Sequence, residues 1–149
     1  MVENLKIAVV DDDESVIESY KLILGIKNYD VVYFETATEF LEGFKADQYD
    51  IVFLDLYLKK DPAPYSRPSK DGGIEVLKKI KEADPTVEVI IVTGWGEKSK
   101  VSAISLGAME YLEKPFVMEV IYDLVNRAAR KRRDAKSKKK GKGPIGPIH

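Results

Sequence analysis

The chain has no cysteine, which removes disulfides, thiolate metal sites and thiol nucleophiles in one step. Its one histidine is His149, the last residue. Histidine metal clusters and Ser-His-Asp catalysis are therefore excluded from the body of the chain. Long hydrophobic runs are missing too. The longest apolar stretches reach about six residues, far short of the roughly 20 that span a bilayer. The first residues, Met-Val-Glu-Asn-Leu-Lys, lack the pattern of a secretory signal, so a cytoplasmic location is expected.

What is present divides by charge. Residues 127–149 hold ten of the 24 Lys/Arg and one of the 25 Asp/Glu, leaving 14 bases and 24 acids for the remainder. A net charge of −1 thus hides an acidic body and a basic tail. The length of 149 residues fits one domain. We place that domain at residues 1–129. Residues 130–149 form a basic tail ending in Gly and Pro, expected to be disordered or to extend the last helix.

Five short apolar segments, at residues 5–10, 31–34, 51–54, 87–92 and 109–112, alternate with amphipathic stretches. Most of the segments are nearly continuous in Val, Ile, Leu and Phe, as in strands buried on both faces of a parallel sheet. Between them, Val16, Ile17, Tyr20, Ile23 and Leu24 recur at helical spacing, as do Ile74, Leu77 and Ile80. Asp13, and Thr36 or Thr38, are candidate helix N-caps. The alternation predicts an α/β fold: a doubly wound (βα)5 three-layer sandwich with a five-stranded parallel sheet of order 2-1-3-4-5. Residues 56–70, with three prolines, read as a long loop of a kind that is usually functional or mobile. Its Tyr65 and Arg67 are candidate partner anchors.

Polar residues gather where the strands end. Val10 is followed by Asp11, Asp12 and Asp13, and Leu54 by Asp55. Thr93 ends the fourth segment, and Lys114 follows the fifth. In open α/β sheets this edge is where ligands bind. Carboxylates in one crevice repel each other, by about 4 kcal/mol for a pair 4 Å apart at an effective dielectric near 20. Such a cluster keeps a proton or binds a cation. Oxygen ligands alone favour a hard ion, Mg²⁺ first. Around a phosphoryl group Lys114 supplies fixed charge, Thr93 a hydroxyl donor and Asp55 a nucleophile.

Taken together, VVDDD (9–13), IVFLDL (51–56), IIVTGWG (90–96) and EYLEKPF (110–116) resemble the receiver domain of response regulators in two-component signalling. The resemblance spans residues 5 to about 127 and implies a flavodoxin-like, CheY-like fold. It implies that Asp55 is the phosphoacceptor and that Asp11, Asp12, Asp55 and the backbone carbonyl of Tyr57 hold Mg²⁺. Thr93 and Tyr111 would be the switch residues and Lys114 the conserved-type lysine, with Lys114-Pro115 a cis peptide. The expected donor is a histidine kinase or a phosphotransfer protein. Phosphorylation would reshape the surface of the fourth helix, fifth strand and fifth helix, which would then meet a downstream protein target or form a homodimer. No turnover of an external substrate is expected.

The sequence also departs from the family. Asp71-Gly72 lies sixteen positions beyond Asp55, a longer interval than is usual, and Lys59 stands where a proline is common. Tyr57 and Trp95 flank the site as bulky groups that would screen an acyl phosphate from water. Two enzyme classes fit less well. A haloacid-dehalogenase-type phosphatase needs a second acid where Tyr57 stands. An FMN-binding flavodoxin needs a hydroxyl-and-glycine loop where the three aspartates stand. Binding of nucleic acid or an acidic partner through the basic tail is the alternative function. However, no recognition helix or aromatic platform accompanies those cations.

Overall fold

Ile51, Val52, Phe53 and Leu54 carry no polar side chain, and all four are fully buried. A strand of this kind needs a neighbour on each edge and cover on both faces. The computed structural model provides both. It describes residues 4–58, 70–94 and 100–141. Strands and helices alternate as β1 (Lys6–Val10), α1 (Glu14–Leu24), β2 (Asp30–Phe34), α2 (Ala37–Gly43), β3 (Ile51–Leu54), α3 (Lys70–Ala83), β4 (Glu88–Thr93), α4 (Lys100–Ser105), β5 (Glu110–Glu113) and α5 (Met118–Gly141). The sheet is parallel, five-stranded and ordered β2-β1-β3-β4-β5, with β3 at its centre. The doubly wound α/β fold read from the sequence is therefore the observed one.

Because side chains alternate along a strand, the sheet separates two cores. Ala8, Val10, Val52, Leu54, Val89, Ile91 and Tyr111 pack with Phe40, Leu77, Ile80 and Ala103 of α2, α3 and α4. On the other face Ile7, Val9, Ile51, Phe53, Ile90 and Val92 pack with Tyr20 and Leu24 of α1 and with Ile121, Leu124 and Val125 of α5. Asp13 caps α1 through Ser15 N–H at 2.9 Å and Val16 N–H at 3.4 Å. Thr36, rather than Thr38, caps α2 by accepting from Glu39 N–H at 3.2 Å.

Three features differ from the sequence expectation. β2 is not buried on both faces: it is an edge strand, and Val32 is 41% exposed. The segment after Asp55 does not become a loop at once. Leu56 and Leu58 are fully buried in the core, and α3 already begins at Lys70. α5 runs past residue 130 to Gly141, the helix extension among the expected outcomes, but Arg132 of the basic tail is buried rather than solvated. Among the described residues no helix is long and apolar enough to cross a membrane. Tyr65, Arg67 and Trp95 lie outside the described residues, as does most of the 56–70 loop.

Candidate functional site

Parallel register sets the site. Val10 of β1 pairs with Leu54 of β3, so Asp11 and Asp55 leave adjacent strands at the same level. The ladder continues beneath them: Asp11 N–H donates to Phe34 O and Asp55 N–H to Val10 O, both at 3.0 Å. Backbone amides then aim the carboxylates. Asp13 N–H donates to Asp11 Oδ1 at 2.9 Å, and Tyr57 N–H to Asp55 Oδ1 at 3.1 Å. The sequence reading did not assign either amide a part in the site. Neither leaves a side-chain signature, since both are consequences of the turn that follows each strand.

Lys114 arrives from the far side of the sheet. Its N–H donates to Thr93 O at 2.9 Å, and the following Lys114-Pro115 bond is cis. Its Nζ lies 2.9 Å from Asp11 Oδ2 and 3.2 Å from Asp55 Oδ2, bridging the two carboxylates. Thr93 is fully buried and hydrogen-bonds the Asp55 carboxylate through its side chain. Tyr111 pairs with Ile91, two residues before Thr93, and lies buried in the core on the α3 and α4 side. Thr93 has the same strand parity as Ile91, so it and Tyr111 face the same layer. Tyr57 is half-buried against that core.

Asp11, Asp12 and Asp55 bring one carboxylate oxygen each within 4.8 Å of the others. Three acids against one ammonium leave a surplus of two negative charges at full ionisation. The titration behaviour reflects this. Burial, then repulsion from Asp55, raises Asp11 to about 6. Burial raises Asp55 as well, against the stabilising pull of Lys114 and the hydrogen bonds from Tyr57 and Thr93. Burial works to lower Lys114, but its contacts with Asp11 and Asp55 outweigh that and hold it raised.

The residues fit a divalent cation. Asp11 Oδ2 is buried and already faces a cation, the Lys114 ammonium at 2.9 Å, a contact that a metal ion could share. The donor set is all oxygen, which suits Mg²⁺.

A stability prediction follows from the sign of the Asp11 shift. A carboxyl whose pKa is raised by folding weakens the folded state as pH climbs from its ordinary value to the folded one, here from 3.8 to about 6. Above pH 6 the cost is fully present, and Asp11→Asn removes it. In metal-free buffer at about pH 7.5 the variant should be more stable by about 1–2 kcal/mol, less than the full shift because a Lys114 contact is lost too. With added Mg²⁺ the order should reverse. Thermal melts with chelator and with Mg²⁺ measure both; a variant destabilised in chelator would contradict the account.

Acids, a buried hydroxyl and an ammonium at the carboxyl edge of a doubly wound sheet have the chemistry that suits a phosphoryl group beside a dication. Comparison with known proteins agrees with that class. The response regulator receiver domain matches residues 7–126, and the chain belongs to that family. The chain is 32% identical over 126 residues to the C4-dicarboxylate transport transcriptional regulatory protein DctD of Rhizobium meliloti, covering 84% of this chain and 25% of DctD. Among solved structures, a CheY-like receiver domain protein from Methanospirillum hungatei superposes with a TM-score of 0.75 at 25% identity, covering 89% of this chain and 99% of that one. A BeF3-activated DrrB receiver domain gives 0.69 at 31% identity, covering 86% and 99%. The chain spans between 25% and 56% of the curated relatives it matches. As a response regulator receiver domain it belongs to two-component signalling, with the phosphoacceptor function that this implies.

Proposed function

We propose that this chain is a cytoplasmic phosphoacceptor. Asp55 takes a phosphoryl group from a histidine kinase or a phosphotransfer protein, and the change is read by a downstream protein target. The observation that carries the reading is the Lys114 ammonium, held between the buried Asp11 and Asp55 carboxylates beside the Thr93 hydroxyl.

The metal ligands in this reading are Asp11, Asp12, Asp55 and the carbonyl of Tyr57. Bound Mg²⁺ would cancel the surplus negative charge and so admit a phosphoryl dianion. In the transfer an Asp55 carboxylate oxygen attacks phosphorus. The bond from phosphorus to the donor's imidazole nitrogen breaks, and its electron pair returns to the imidazole. Lys114 leaves the Asp55 oxygen for an oxygen of the transferred group. Thr93 redirects its hydroxyl from the Asp55 carboxylate to the phosphoryl. Tyr111, one strand away on the same face, follows that movement and reshapes the α4-β5-α5 surface, a shift between two populated states.

That surface has material for a partner or a second copy. Val101 on α4 is 78% exposed and Ile104 41%, while Val117, just before α5, and Met118, its first residue, are 57% and 40%. Nothing in this scheme turns over an external substrate. The alternative, nucleic acid or an acidic partner on the basic tail, has less behind it. Lys131, Arg132 and Lys136 are engaged with the domain's own acids.

The test is site mapping. With Mg²⁺ and acetyl phosphate the chain should acquire a phosphoryl label, and borohydride reduction should leave homoserine at position 55. Label on another residue, or none with Mg²⁺ present, overturns the reading.

A further inference from the structure

The edge of the sheet opposite the acidic site holds a second charged cluster. Its centre is Arg132, which a purely basic tail would expose but which is 3% exposed. Every nitrogen of its guanidinium is engaged. Nε lies 3.0 Å from Asp50 Oδ1, and Nη1 lies 2.8 Å from Thr86 Oγ1 and 3.4 Å from Asp84 Oδ2. Nη2 lies 3.3 Å from Asp47 Oδ1. Arginine suits this position because its planar fork stays charged and reaches several acceptors at once.

The partners are placed with order. Asp50 immediately precedes β3, and its other oxygen accepts from Lys6 N–H of β1 at 2.9 Å. Asp84 and Thr86 lie in the connection from α3 to β4. Arg132 therefore grips the beginnings of the two strands whose far ends lead to Asp55 and Thr93. Asp84 is set up as an anion. Burial opposes its charge, but hydrogen bonds from Thr86 and the Asp47 N–H, with the Arg132 charge, hold its carboxyl below the usual range. Asp47 adopts φ 63°, in the left-handed region that Asp tolerates, and there it meets Asp84, Arg132 and Lys136 together.

The stripe continues along the helix. Ala128 is in the core, Arg132 is one turn further, and Lys136, one turn beyond that, lies 3.2 Å from Asp47. Arg130, Arg133 and Lys138 are exposed and make no ion pair among the described residues.

We propose that Arg132 anchors the basic extension of α5 to the starts of β3 and β4. The helix through about residue 138 then travels as one body with the sheet rather than hanging from it as a linker. Arg130, Arg133 and Lys138 become a fixed array on a rigid arm. The inference does not depend on the phosphoacceptor reading.

Hydrogen exchange on the full chain tests it. Arg132→Met keeps the aliphatic length and removes the fork. Its amides at 131–138 should exchange at least about tenfold faster, with those of β1 and β3 unchanged. Lys136→Ala, which removes only an exposed contact, should change them by under about threefold. Protection in the wild type should survive about 0.5 M NaCl, because the Arg132 guanidinium and its Asp84 partner are both buried. Should Arg132→Met fail to fold, Asp84→Asn combined with Thr86→Val should give the same local loosening. Unchanged exchange in 131–138 overturns the anchor. Equal acceleration across the whole sheet also overturns it, since Arg132 would then be an ordinary stabilising residue.

Discussion

Changing Asp55 to Asn should cut Mg²⁺-dependent incorporation of phosphate from acetyl phosphate at least about a hundredfold, a loss near 3 kcal/mol of transition-state stabilisation. Asn has the size of Asp and still accepts the Tyr57 N–H, so the turn after β3 survives. What it lacks is an anionic oxygen to form the new bond to phosphorus. The loss should come without unfolding. Asp55 repulsion is the second cause of the raised Asp11 carboxyl, after burial, so removing that charge relieves the folded state. A melting temperature equal to or above wild type in chelator, with labelling gone, is the expected pair of results. Labelling kept within about tenfold of wild type would sink the assignment of Asp55.

The fold was legible because its signals are local. Ile51–Leu54 is apolar without interruption, and such a segment has few homes other than the middle of a parallel sheet. Alternation with helices then limits the topology to a few arrangements. The site was legible for a related reason. In a parallel sheet strand ends converge, so Asp11, Asp55, Thr93 and Lys114 were assignable to one edge although Asp55 and Lys114 lie 59 positions apart.

What escaped the sequence depended on distant partners. Arg132 looked like one more tail cation, and its burial rests on Asp50, 82 positions earlier, and on Asp84, 48 earlier. Leu56 and Leu58 were hidden by composition. Prolines and lysines just downstream made the whole stretch look like loop, although the alternation Leu56-Tyr57-Leu58 is that of an extended chain with one face inward. The pair Gly72-Gly73 was the remaining clue, since adjacent glycines in a helical stretch mark a close backbone approach.

That approach carries the largest expected effect on stability. Gly73→Ala should destabilise the protein by about 3 kcal/mol or more. A Cβ built on Gly73 would overlap Leu56 O and stand 2.5 Å from Leu56 Cα and 2.7 Å from Asp55 O. All three are backbone atoms, so no side chain can swing aside. Gly73 N–H also donates to Leu56 O at 3.1 Å, which holds α3 against this segment. Helix propensity pushes the other way, favouring Ala over Gly by about 1 kcal/mol, and steric overlap decides the sign. The movement that relieves the clash must shift either α3 or the backbone of Asp55 itself. Labelling from acetyl phosphate should therefore fall along with the melting temperature. Gly43→Ala is the matched control, because nothing lies within 4 Å of a Cβ there. It should be neutral or slightly stabilising, by at most about 1 kcal/mol. If denaturant titration finds the two variants equally stable, α3 does not press on the Asp55–Leu56 backbone as closely as these distances require.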